Sequence, residues 1–158
     1  MPPLFIDTTD MVNTYGEKEM INLTDRNNPK TGTVNTVVME ANIDDAEAEI
    51  ITKLGCCFSI SAILEIYAAS GFVPTLNHWA KVVTRLHLYS SLERDESQVS
   101  KAYEDYKEEI EELCKCGILV DNTGVEIPRK TIFSFVEDTT TTCCCIGDCC
   151  CGMARFCL

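Results

Sequence analysis

The chain is short of the residues that most chemistry needs. Its two histidines, His78 and His87, stand nine positions apart on one expected helix, about 2.5 turns, and so face opposite ways. They cannot share a metal ion, and no Ser–His–Asp or Cys–His constellation accompanies them. Glycine is sparse, 8 in all, and never falls in G-x-G-x-x-G or ahead of Lys-Ser/Thr, which removes the phosphate-cradling loops. Basic residues number 13 against 25 acidic ones, a formal net charge of −12. A surface of that sign repels phosphate backbones and argues against stable nucleic-acid binding, which needs clustered Lys and Arg. Apolar runs are short as well: Phe58 to Val73 is broken by Glu65 and by Ser70-Gly71, and nothing approaches the ~18 residues of a spanning helix. Met1-Pro2-Pro3-Leu4 lacks the basic n-region of a signal peptide. These absences predict a protein made in the cytosol that is not an enzyme and has no membrane partner.

What is present is helical patterning in a chain of 158 residues, one domain's length and enough to bury about 68–70% of the unfolded surface. Asp7-Thr8-Thr9-Asp10 offers caps for a short helix through Met11 and Val12, ended by Gly16, and a second short turn runs from Glu17 to Leu23. The loop from Asp25 to Gly32 begins like a calcium loop with Asp25 and Asn27, but Thr36 stands where a bidentate carboxylate is required. From Thr36 to Leu54, Val38, Ala41, Ile43, Ala46, Ile50 and Leu54 recur on a helical period, with Glu40, Asp44, Asp45, Glu47 and Glu49 on the other side. Those carboxylates read as a solvated face. Phe58 to Ala69 gives another helix, and Pro74 opens the next, with Leu76, Trp79, Ala80, Val83 and Leu86 as its buried stripe.

Asp95 and Gln98 form a capping box for a helix in which Val99, Tyr103, Tyr106, Ile110 and Leu113 step by 4, 3, 4 and 3, a two-heptad seam suited to packing in a bundle. Its other face carries Glu104, Asp105, Glu108, Glu109, Glu111 and Glu112. Beyond Gly117, Ile118-Leu119-Val120 and Val125-Glu126-Ile127 flank the turn Asp121-Asn122-Thr123-Gly124, the pattern of a β-hairpin. Thr131 to Val136 is a further β-prone run. Ile118, Val120, Ile127, Ile132, Phe133 and Phe135 are therefore candidates for docking on a partner chain. The expected fold is mainly α, in three parts. A bundle of four to five helices over 1–116 folds on its own, followed by a small C-terminal β-hairpin docking arm over 117–138 and a cysteine-rich tail over 139–158.

Cysteine is the one reactive residue in excess, 11 in all, although a domain of this length needs no staples. Cys143-Cys144-Cys145, Cys149-Cys150-Cys151 and Cys157 crowd the tail, with Cys56-Cys57 and Cys114-x-Cys116 upstream. Three readings stay open. The tail thiolates could ligate an iron–sulfur cluster or zinc, form disulfides between subunits or proteins outside the reducing cytosol, or remain free or lipid-modified. Ile146, Met153, Phe156 and Leu158 are the tail's sizeable apolar residues. Their burial, worth about 1.5–3 kcal/mol each, loses to roughly 1–2 kcal/mol of backbone entropy per ordered residue, so sulfur chemistry is what would order the tail.

Tyr15-Gly16-Glu17-Lys18-Glu19-Met20-Ile21-Asn22-Leu23-Thr24-Asp25-Arg26 resembles a segment of the Mu-like phage neck proteins of the head–tail adaptor type. There Tyr/Phe-Gly-Glu-Glu-Glu-Leu-x-x-Leu-Thr-Asp-Arg precedes a helical body. The likeness continues at Val37 to Leu54 and at Pro74 to Tyr89, and covers about Tyr15 to Val120. It departs at Gly55-Cys56-Cys57 and the apolar stretch that follows, and the cysteine tail after Asp138 has no counterpart. The resemblance implies a virion protein of the phage neck, made in the bacterial cytoplasm. It implies a homo-oligomeric ring, usually twelve-fold, beneath the portal protein and bridging it to the next neck or tail-terminator protein, with duplex DNA passing through unbound. A negative wall would repel that DNA over about a Debye length of 8 Å, which makes Glu104, Asp105, Glu108, Glu109, Glu111 and Glu112 candidates for lining the channel. The residues alone leave a second function open, a small iron–sulfur or zinc redox protein with the tail cysteines as its centre.

Overall fold

The computed structural model describes residues 4–27, 29–90, 92 and 97–130, which hold six α-helices. They are α1 (Thr8–Tyr15), α2 (Glu17–Thr24), α3 (Thr36–Leu54), α4 (Ile60–Ala68), α5 (Pro74–Ser90) and α6 (Ser97–Cys116). The helical class is as expected, with six helices in place of four to five because the short turn expected from Glu17 to Leu23 also closes into a helix. Local chemistry sets the boundaries. Asp7 and Asp10 cap α1 reciprocally, each backbone N–H donating to the other's carboxylate at 2.9 and 3.0 Å. Gly16, at φ 88°, lets the chain turn between α1 and α2 in a conformation other residues avoid. Asn35 caps α3, accepting from Val38 N at 3.2 Å, and Ser59 caps α4. The expected capping box of α6, Asp95 with Gln98, lies outside the described side chains.

The core is built on α3 and α5. Met39, Ile43, Ala46, Ile50 and Leu54 are fully buried along one face of α3, Met39 filling the place expected of Ala41, which is exposed. On α5, Val82, Thr84 and Leu88 are buried beside Leu76, Trp79, Ala80 and Val83, a wider surface than a single stripe because α2, α3 and α6 all pack on this helix. Glu47, expected on the solvated face, is only 6% exposed. Its carboxylate accepts the backbone N–H groups of Leu4 at 2.8 Å, Phe5, and Ile6 at 3.4 Å. Phe5 and Ile6 are thereby laid into the core, and Phe5 stacks at a tilt on Tyr67, ring centroids 5.1 Å apart. Burial pushes the Glu47 carboxyl up, opposed by the three N–H donors.

The C-terminal hairpin does not form. Among the described residues there is no strand, only isolated antiparallel bridges at Val120 with Glu126 and at Phe58 with Arg129. Two causes are visible. The Asp121 carboxylate takes the N–H groups of Thr123 and Val125 at 2.8 and 2.9 Å, a local bonding pattern that competes with a ladder. Pairing then stops after Ile127 N donates to Leu119 O at 2.8 Å, and Gly117 O, the next acceptor along the ladder, takes the Arg129 guanidinium instead.

Nor do residues 117–130 stand off as an arm. Leu119 and Ile127 are 1% and 4% exposed within the core, so Ile127 is a core residue and not a free docking contact. Pro128 O accepts from Ser59 N, and Lys130 N donates to Cys57 O, both at 3.0 Å. Arg129 donates to the carbonyls of Cys114 at 3.0 Å, Leu113 at 2.8 Å, and Gly117, a cation on the orphan acceptors of the helix C-terminus. At the same junction Cys57 and Cys114 form a disulfide, their Cα atoms 5.4 Å apart. Gly117 is required there, since a Cβ on it would stand 2.6 Å from Leu113 Cα.

Truncation after Cys116 removes the Leu119 and Ile127 side chains, worth about 1.5–3 kcal/mol each, together with the Arg129 cap. The truncated chain is expected to unfold at clearly lower urea concentration than the full chain, followed by circular dichroism. An unchanged midpoint would contradict this packing.

Candidate functional site

The acidic helix α6 is the surface on which the sequence places most of its functional weight, and its two faces are built by different forces. Inward, Val99, Tyr106 and Ile110 are buried at 1%, 1% and 4% exposure, with Tyr103 and Leu113 packed beside them. Trp79 of α5 meets Tyr106 edge-on at 5.6 Å. Outward, Glu104, Asp105, Glu108, Glu111 and Glu112 are all exposed. Glu104 pairs with Lys107 at 2.7 Å. Glu109 behaves differently from its neighbours: it accepts from Trp79 Nε1 at 2.7 Å, so it ties α6 to α5 on the flank of the acidic stripe.

A polar web pins the seam. Glu49 of α3 receives Lys53 Nζ at 2.8 Å and the Tyr103 hydroxyl at 2.9 Å on one oxygen, and lies 3.2 Å from His87 Nε2 of α5 on the other. Three helices thus meet at one carboxylate. Lys53 also stands 4.7 Å from the Tyr106 ring centroid, a cation over an aromatic face. Burial, with the Glu49 bond and charge added, lifts the Tyr103 hydroxyl to about 12, which keeps it a donor. Burial raises the Glu49 carboxyl, but the hydrogen bonds from Lys53 and Tyr103 and the charges of Lys53 and His87 more than offset it, and the net shift is downward. The solvated-face expectation is therefore corrected at Glu49 as at Glu47; Lys53, one turn along the same helix, is the partner the pattern already contained.

The block from Tyr15 to Arg26 has a structural use. Arg85 Nε of α5 bonds Glu19 at 2.8 Å, and its guanidinium lies 4.6 Å from the Tyr15 ring centroid, fastening α1 and α2 to α5. Asp25 spends its carboxylate on Gly32 N at 2.8 Å and Asn27 N at 3.3 Å, closing its own loop. The backbone bond from Gly32 is the main cause that holds its carboxyl low.

Of the docking candidates, Ile118 is 64% and Val120 38% exposed, whereas Ile127 is buried. Ile132, Phe133 and Phe135, and the candidate ligands Cys143, Cys144, Cys145, Cys149, Cys150, Cys151 and Cys157, lie outside the described residues. Among the described residues no group of three or more His, Cys, Asp or Glu side chains is arranged to hold a metal. No described helix is long and apolar enough to cross a membrane.

Because the folded value of Glu49 lies below its ordinary 4.5, its contribution is complete above the unfolded value and is lost as pH falls through the lower folded one. Thermal unfolding of the wild type and Glu49→Gln is expected to show a wild-type advantage at neutral pH that disappears as the pH drops below that value. An advantage that persists in strong acid would contradict the web.

Comparison with known families matches the chain to the model described as Bacteriophage Mu, Gp36, over residues 5–126. Comparison with curated proteins returns no match. The matched span begins at Phe5 in the strap held by Glu47, includes all six helices, and ends at Glu126 in the turn after α6. With the family matched along more than three quarters of its length, the chain belongs to the bacteriophage Mu Gp36 family.

Proposed function

We propose that this phage protein is a structural component of the virion neck, a head–tail adaptor. In this reading copies assemble as a ring between the portal protein and the next neck protein, and the outward stripe of α6 lines the channel that DNA traverses. One observation carries it: Glu104, Asp105, Glu108 and Glu111 are exposed together on the side of α6 away from the core. Covering four carboxylates with protein would need compensating cations, because desolvating each costs several kcal/mol. Water and passing DNA impose no such demand. A wall of this sign repels the duplex over about 8 Å at physiological salt and offers it no adhesive contact. The role is mechanical, with no reaction assigned. The other reading, a small iron–sulfur or zinc redox protein, rests on cysteines outside the described residues and requires no ring.

Reversing Glu104, Glu108 and Glu111 to Lys leaves the Trp79–Glu109 bond intact and turns the proposed wall cationic. Particles carrying this variant are expected to eject their genome slowly or to retain it, with the defect strongest at low salt, where attraction to phosphate is least screened. Ejection at the wild-type rate would place this face of α6 outside the channel.

A further inference from the structure

The last turn of α6 carries two cysteines with different partners. Cys114 is bonded to Cys57, and Cys116, the final residue of the helix, is disulfide-bonded as well. Its partner is neither Cys57 nor Cys114, which hold each other, nor Cys56, which is free. Those four leave seven of the 11 cysteines, all between Cys143 and Cys157. Cys116 is accessible to them, since it is exposed and lines an open groove of about 630 Å³ between the start of α5 and the end of α6. The path of the chain returns to the same place. Arg129 donates to the carbonyls of Cys114 at 3.0 Å and of Gly117, which flank Cys116, and Lys130 N donates to Cys57 O at 3.0 Å. From Lys130 the chain reaches Cys143 in 13 residues, a stretch that spans up to about 45 Å.

We propose that Cys116 is the anchor of the cysteine tail: a disulfide from Cys116 to one cysteine of residues 143–157 ties the tail to the end of α6 within a single chain. The short tether sets the choice of partner, because it holds the tail thiols near Cys116 at a local concentration on the order of millimolar, which a second copy at micromolar concentration does not match. The bond forms by two exchanges with a low-molecular-weight disulfide such as glutathione disulfide. A tail thiolate attacks one of its sulfurs and displaces a small thiolate, leaving a mixed disulfide on the tail. The Cys116 thiolate then attacks the tail sulfur, forms the protein disulfide and displaces the second small thiolate. The two cysteines give up two protons and two electrons, and the small disulfide leaves as two thiols. Reduced glutathione in the cytosol drives the same steps in reverse, so the anchor is open where the chain is made and closes once the protein leaves the cell. It assigns the tail's sulfur to its own chain and not to a neighbouring copy, and it does not depend on the adaptor reading.

Trypsin separates the groups that matter: it cuts after Lys115, Arg129 and Lys130, so that Cys114, Cys116 and the tail cysteines fall on three different peptides. Full-length wild-type chain, an equal mixture of light- and heavy-isotope preparations, is oxidised with glutathione disulfide at micromolar protein, blocked with N-ethylmaleimide in denaturant, digested and read by mass spectrometry. The Cys116 peptide is expected joined to a tail peptide, light with light and heavy with heavy, and Cys116 is expected to take the blocking reagent only after reduction. Cys116 blocked before reduction, as it would be for a free thiol or for a metal-bound thiolate released by the denaturant, overturns the proposal. So does a link from Cys116 to Cys56, Cys57 or Cys114. A tail link found equally in light–heavy pairs also overturns it, because the bond then forms between copies.

Discussion

The seam that presses α6 onto α3 and α5 is the constraint from which the rest follows. Left to itself, α6 would be a poor helix: Glu104 and Glu108, Asp105 and Glu109, and Glu108 and Glu112 are like charges four residues apart, each pair costing about 0.2–0.5 kcal/mol. Burial of Val99, Tyr106 and Ile110, at about 1.5–3 kcal/mol for each aliphatic side chain and at least as much for the tyrosine, outweighs that repulsion. The Glu49 web adds direction to it. With Tyr103 and Lys53 drawn to one carboxylate and Glu109 drawn to Trp79, α6 has a single rotational setting, and in that setting its remaining carboxylates point outward.

The end of α6 is held by a second set of contacts that converge within a few residues. Arg129 neutralises the carbonyls at the negative end of the helix dipole, Lys130 and Pro128 bond the backbone beside Cys57, and the disulfide joins Cys57 to Cys114. Residues 117–130 are consequently part of the body. What they leave at the surface is Ile118, Val120 and Val125, so the same segment contributes Leu119 and Ile127 to the core and an apolar edge to the outside.

Much of the fold was legible in the sequence because helix boundaries are local. Thr36 to Leu54 was readable from its period, Pro74 from its tolerance at a first helical turn, and the seam from Val99 to Leu113 from its heptad spacing. Legibility failed where a side chain's fate depends on a distant partner. Glu47 and Glu49 look like their solvated neighbours until the N–H groups of residues 4–6 and the His87 ring are brought to them. The hairpin pattern was present, yet the side chains of Asp121 and Arg129 take up its ladder's backbone groups, and β-propensity is weak evidence against such local competition. Cys57 and Cys114, 57 positions apart in sequence, could not be paired from spacing, since connectivity is a tertiary fact. The acidic site was legible as an exposed face of α6; what could not be read is the bond from Trp79, on another helix, to Glu109.

Electron microscopy of the intact phage particle, averaged about the axis of the neck, tests the central claim most directly. The claim predicts a ring of this chain in which α6 runs along the inner wall with Glu104, Glu108 and Glu111 toward the lumen. A neck in which the inner wall is made by another element, with α6 on the outer surface or buried against a different protein, would contradict it.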